Sequence, residues 1–159
     1  MPESAPSEAK GICSMPQPQA ICQISEGTVN LPVAYLDRTV NIFTSSTTNA
    51  PAFNISRDTL QESETLPAYI DRQLKLMQQH LKGWQQSLRE AAALGKPALV
   101  GESVHASYLR DGKRIWQQQA VFTPDNRHVL VFTMTANAAF TAADNALFQE
   151  LLGSFRPHA

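Results

Sequence analysis

At 159 residues the chain carries enough material for one domain and one core, and 43% hydrophobic residues is well above the level at which chains stay disordered. Thirteen basic residues against fourteen acidic ones give a net charge of −1. That balance lacks the basic surplus that nucleic-acid phosphates require, and it lacks a polybasic patch for an anionic membrane surface. No apolar run approaches the roughly 20 residues that span a bilayer as a helix.

Residues 1–20 are rich in Pro, Ser, Gln and Ala without a hydrophobic period, and a mobile tail is expected there. The start has neither a basic region nor an apolar h-region, so a cytoplasmic location is expected. Cys13 and Cys22 are the two cysteines. A disulfide between them would close only a small loop, and nothing else points to an oxidising compartment. From Ile21 two short strands are predicted, 21–26 and 28–31, meeting at Gly27 and ended by Pro32. Residues 38–43 alternate, with Val40 and Ile42 on one face and Thr39, Asn41 and Phe43 on the other. A polar loop then leads through Pro51 to a second alternating run, 52–57. Here Ala52, Asn54 and Ser56 face opposite to Phe53 and Ile55.

Apolar residues at three- and four-residue spacing (Leu66, Tyr69, Ile70, Leu74, Met77, Leu81) predict a helix over 66–81. Thr65 supplies the N-cap, Pro67 sits in the first turn and Gly83 closes the helix. Four strands follow, 84–94, 98–109, 113–122 and 128–136, with Asp111-Gly112 as a hairpin turn. A last helix, 142–152, is expected to bury Leu147, Phe148, Leu151 and Leu152, with Phe155 tethering its end. Strands, helix, four strands, helix imply an α+β fold, a mostly antiparallel twisted sheet with two helices packed against it.

The chain contains no G-x-S-x-G elbow, H-E-x-x-H pair, phosphate loop or dinucleotide fingerprint. His80, His105, His128 and His158 have no ligand spacing, so no metal, cofactor or catalytic group is expected. Glu62 and Glu64 border the helix start, where carboxylates complement the dipole. Three features are less ordinary. Asn54 and Ser56 decorate one face of their strand; Gln73 shares a helical stripe with Met77 and Leu81; and Gln117-Gln118-Gln119 sit inside a predicted strand. Each has a plain alternative: a solvated outer face, a core stripe with one edge glutamine, and an edge or solvent-facing strand.

Several stretches carry a resemblance. They are Ile24-Ser25-Glu26-Gly27 with Leu31-Pro32, residues 37–43, Phe53-Asn54-Ile55-Ser56-Arg57-Asp58, residues 66–74, Gln118-Gln119, and Leu151-Leu152-Gly153-Ser154-Phe155-Arg156-Pro157. Over about 21–157, read as a single domain, the chain resembles the DcrB-like family, and within it the Eag chaperones of bacterial type VI secretion systems. The resemblance implies a PsbP/Mog1-like fold and a homodimer with exchanged elements. It also implies a claw that binds the N-terminal transmembrane helices of PAAR-containing effectors and helps load them on the secretion spike. Matched by position, the binding surface is Val40, Ile42, Ala52, Asn54, Ser56, Gln73, Met77, Leu81 and Gln119. Ala52 stands where a small hydroxyl residue is expected, and Asn54 where an apolar one is. The alternatives are a periplasmic DcrB-like structural or stress protein, which needs an export signal, and an enzyme acting in a small pocket.

Overall fold

The computed structural model describes residues 20–47 and 49–158. The predicted tail, apart from Ala20, and Cys13 lie outside them. The chain divides into two units at Arg38 and Thr39.

In the first unit, β1 (Ile21–Ile24) and β2 (Gly27–Asn30) form an antiparallel hairpin with Cys22 opposite Val29. Gly27 opens β2 rather than forming the turn, which falls on Ser25 and Glu26. The Leu31 amide bonds the Ala20 carbonyl at 2.8 Å, and the buried Cys22 thiol donates to Asp37 at 3.3 Å.

The second unit holds β3 (Asn41–Phe43), β4 (Ala52–Thr59), α1 (Leu66–His80) and β5 (Lys82–Leu94), followed by β6 (Leu99–Arg110), β7 (Lys113–Phe122), β8 (His128–Ala136) and α2 (Ala142–Gly153). These six strands form one sheet, in the order β3-β4-β8-β7-β6-β5, and every neighbouring pair is antiparallel. The expected α+β fold is therefore the one observed.

Alternation along the central strands divides two cores between opposite faces. Ala120 and Phe122 of β7, with Phe132 and Met134 of β8, pack against Phe148 and Leu152 of α2. Their neighbour Val121, with Val104, Val129 and Val131, packs against Tyr69 and Ile70 of α1. The face of α2 is narrower than the sequence suggests. Phe148, Leu151 and Leu152 reach the sheet side, but Leu147 is 46% exposed, because consecutive helical residues point about 100° apart. Phe155 joins the α2 core, as expected.

Other departures are local. Residues 38–40 do not join the sheet. The Arg57 guanidinium donates to the Thr39 carbonyl at 3.1 Å and to Asn41 Oδ1 at 2.6 Å, and the β3–β4 ladder begins only at Asn41. Gly83 does not close α1. Leu81 is already extended at the C-cap (φ −100°, ψ 130°), and Gly83, at φ +64°, sits in the irregular start of β5. Asp111 and Gly112, at φ +54° and +79°, make the two-residue turn as predicted.

Candidate functional site

Helix α1 is fastened to the sheet at its N-terminal end. The Thr65 side chain accepts from the Ala68 amide at 3.3 Å, and Tyr69 and Ile70, the first inward residues, are 4% and 2% exposed. The Tyr69 hydroxyl donates to Asp58 of β4 at 2.8 Å; burial, and then this bond, push the phenol well above its ordinary pKa. Arg72 lies over the Tyr69 ring at 5.2 Å and grips Glu64 through two bonds of 2.8 and 2.9 Å. That pair, with the Gln61 amide also donating to Glu64, holds the Glu64 carboxyl down at about 2. Glu64 is thus committed to an ion pair rather than serving the helix dipole alone. Arg89 of β5 reaches Glu102 at 2.6 Å, Asp71 of α1 at 2.5 Å and the Pro67 carbonyl at 3.3 Å.

Beyond these anchors the helix becomes progressively more exposed. Gln73, Leu74 and Met77 are half-buried, and residues 78–80 are exposed. Between this half of α1 and the sheet lies a cleft of about 190 Å³. Its floor is Val104, Val121 and Val131, its helical wall Ile70, Gln73, Leu74 and Met77, and its remaining lining includes Ser56, Asp58, Tyr69 and Gln119. Four of the nine residues matched by resemblance therefore meet in one cleft: Ser56, Gln73, Met77 and Gln119. Among the described residues, the side chains of Ser56, Gln73 and Gln119 have no hydrogen-bond partner. The cleft is below the roughly 300–1,000 Å³ common for small-molecule sites. It admits side chains projecting from a helix laid across its mouth, not the helix itself, whose diameter is about 10–12 Å.

The other five positions are distributed differently. Asn54 pairs with Thr133, and Ile42 with Asn54, on the same sheet face as Ser56 and Gln119 but outside the cleft lining. Ile42 is 69% exposed. Ala52 lines a separate hollow with Asn49, Ala50 and Thr135. Val40 lies outside β3 and is half exposed, and Leu81 has left the helical stripe at the C-cap. The glutamine run is in an interior strand, not an edge. Gln117 and Gln119 share the α1 face, while Gln118, on the α2 face, donates to Asn145 at 2.5 Å. The floor valines were not singled out from sequence. Val121 could have been found, since it follows Gln119 by one strand period.

Among the described residues no three His, Cys, Asp or Glu side chains are grouped so as to hold a metal ion, and no helix is long and apolar enough to cross a membrane.

Compared with known proteins, the chain matches the family model described as DcrB over residues 26–154. No curated protein matches it. Among solved structures it is similar to PA94 of Pseudomonas aeruginosa, described as a protein of unknown function (21% identity, TM-score 0.68, 89% of this chain and 99% of that one). At that identity the likeness speaks to the fold. A weaker likeness is to LpqN of Mycobacterium tuberculosis, described as involved in cell envelope biogenesis (17% identity, TM-score 0.40, 72% of this chain and 75% of that one), from which nothing is drawn.

Proposed function

The chain belongs to the DcrB family, and within it we propose a non-enzymatic, cytoplasmic chaperone that shields apolar transmembrane helices of a type VI secretion effector carrying a PAAR domain. The observation that carries this reading is the cleft beside α1, where Ser56, Gln73 and Gln119, without partners among the described residues, surround a valine floor and the adaptable side chain of Met77. A transmembrane helix in water needs its apolar surface covered and its few polar or backbone groups paired. A neighbouring membrane helix supplies both, and so does a floor of this mixed kind. Covering that surface is favourable by about 25 cal/mol per Å² before association costs. The mode is a helix laid across the mouth of the cleft with its side chains inserted, as in helix-in-groove recognition. The small volume of the cleft favours binding of projecting side chains over catalysis on a small molecule.

The chaperone works as a homodimer with exchanged elements. Supporting this, Ile21, Val33, Tyr35 and Leu36 of the first unit are 71, 59, 67 and 79% exposed, apolar side chains that a second copy would cover.

The test is co-purification of the full chain with its client effector from native cytoplasm, with the mass of the complex read by light scattering. Met77→Asp and Ile42→Asp should fold normally and lose the client, and the wild-type complex should contain two copies of the 17.5 kDa chain. Retention of the client by both variants would remove the proposed binding surface, and one copy per complex would remove the dimer.

A further inference from the structure

We propose that the α2 side of the sheet carries a second docking site, for a polypeptide segment in which a large apolar side chain lies beside a carboxylate. The side chain enters a hollow next to α2, and the carboxylate pairs with the Nε–Nη2 edge of Arg57. The hollow, of about 190 Å³, lies between the end of α2 and strands β4 and β8. Phe132, 3% exposed, forms its floor, and the half-buried Ile55, Leu130, Leu151 and Phe155 form its walls. Exposed Ser154 and Arg57 complete the lining. Phe132 belongs to the α2 core, so the hollow opens on the sheet face opposite the client cleft. Its volume is below the roughly 300–1,000 Å³ of small-molecule sites and suits one inserted side chain.

The state of Arg57 selects the carboxylate. Only Nη1 is engaged, with the carbonyls of Thr39 and Ile55 at 3.1 and 3.2 Å and with Asn41 Oδ1 at 2.6 Å. Nε and Nη2, an edge that grips a carboxylate through two parallel bonds, have no partner among the described residues. Arg72 is the internal comparison: through that same edge, at 2.8 and 2.9 Å, it holds Glu64. Arg156, next to Phe155, bonds only the carbonyls of Gly153 and Phe155, at 3.1 and 2.9 Å. Among the described residues neither Arg57 nor Arg156 has an ion-pair partner. No Asp or Glu lines the hollow. Asp58, next to Arg57 in sequence, turns to the other face and receives the Tyr69 hydroxyl. Of the carboxylates on α2, Asp144 closes the capping box at the far end, and Glu150 lies about 100° round the helix from Leu151. Apolar walls beside two unpaired cations complement an acidic, apolar segment rather than a basic one.

The test measures binding of short labelled peptides to the full chain by fluorescence anisotropy. One peptide has a single Phe between two Asp in a Gly–Ser background, a second has Asn for both Asp, and a third has Ser for Phe. The first should bind about two- to fivefold more tightly than the second at low salt, the gain of an exposed ion pair, and the advantage should fade in about 0.5 M salt. The third should bind weakest. Arg57→Gln should erase the difference between the first two, and Arg57→Lys, which keeps the charge but not the fork, should restore only part of it. Arg57 also borders the client cleft, so the separating variant is Ser154→Trp, which fills the hollow from an exposed position. It should lose the first peptide while melting temperature and client co-purification stay as in wild type. Absence of saturable binding by the first peptide, equal binding of the first two, or a preference that survives Arg57→Gln overturns the site. So does full binding by Ser154→Trp, a readout that stands even where Arg57→Gln folds poorly. The peptide assay involves no client, so failure of the chaperone reading leaves this site standing, and the reverse holds as well.

Discussion

The Tyr69 hydroxyl reaches Asp58 Oδ2 from a side chain only 4% exposed, so Tyr69→Phe removes that donor at the cleft wall and leaves the carboxylate only its Thr59 amide bond at Oδ1. A hydrogen bond to a charged partner is worth about 1.5–3 kcal/mol, and a loss of that size is expected as a lower urea midpoint with an unchanged slope. An unaltered midpoint would show that the bond contributes nothing. The neighbouring Glu64 sets an acid limit. Its folded pKa of about 2 lies below the ordinary 4.5, so the unfolded chain takes up the proton first. The stability it contributes is complete above pH 4.5 and is lost as pH falls towards 2. Asp125, held at about 2 by the His128 amide and ring and the Arg127 amide, acts in nearly the same window. Melting temperatures followed from pH 5 to pH 2 should therefore fall less steeply in Glu64→Gln than in wild type; parallel curves would contradict the Glu64–Arg72 pairing.

Gly101 of β6 has no room for a side chain. A Cβ there would come 2.1 Å from the Val121 carbonyl oxygen and 2.5 Å from the Phe122 ring. Gly101→Ala is thus expected to cost about 1–3 kcal/mol or more through overpacking of a central strand pair, read as a drop in melting temperature; a neutral result would deny the close approach. The elements themselves were legible from sequence where the signal is local. Thr65 and Pro67 marked the start of α1, and β7 and β8 run over the predicted residues, because a hairpin turn and period-two alternation need no distant information. Non-local effects were not legible. The shortness of β3 depends on Arg57, eighteen residues beyond Thr39, taking that residue's carbonyl. The exposure of Leu147 depends on which side of α2 meets the sheet. The capping box of Thr141 and Asp144 was readable and was missed, since aspartate stands where glutamate or glutamine is usual.

For the molecule as a whole, the order of elements conveyed the α+β class but not the division of the sheet into an α1 face and an α2 face, which only strand register reveals. That division decides the site. It brings Ser56, Gln73, Met77 and Gln119 together, turns Gln118 away, and leaves Val40 and Leu81 outside, because one residue ends up before its strand and the other after its helix. The most direct measurement is site-specific photo-crosslinking in cells that express the client. The photoreactive group is placed at position 73 or 77 on the cleft wall, or at exposed position 147 on α2, and the attached peptide is identified by mass spectrometry. Positions 73 and 77 should capture a segment lying within an apolar stretch of about 18 or more residues in the client, and position 147 should not. Capture of that segment only from position 147, or of polar segments alone from 73 and 77, would contradict a cleft that stands in for a neighbouring membrane helix.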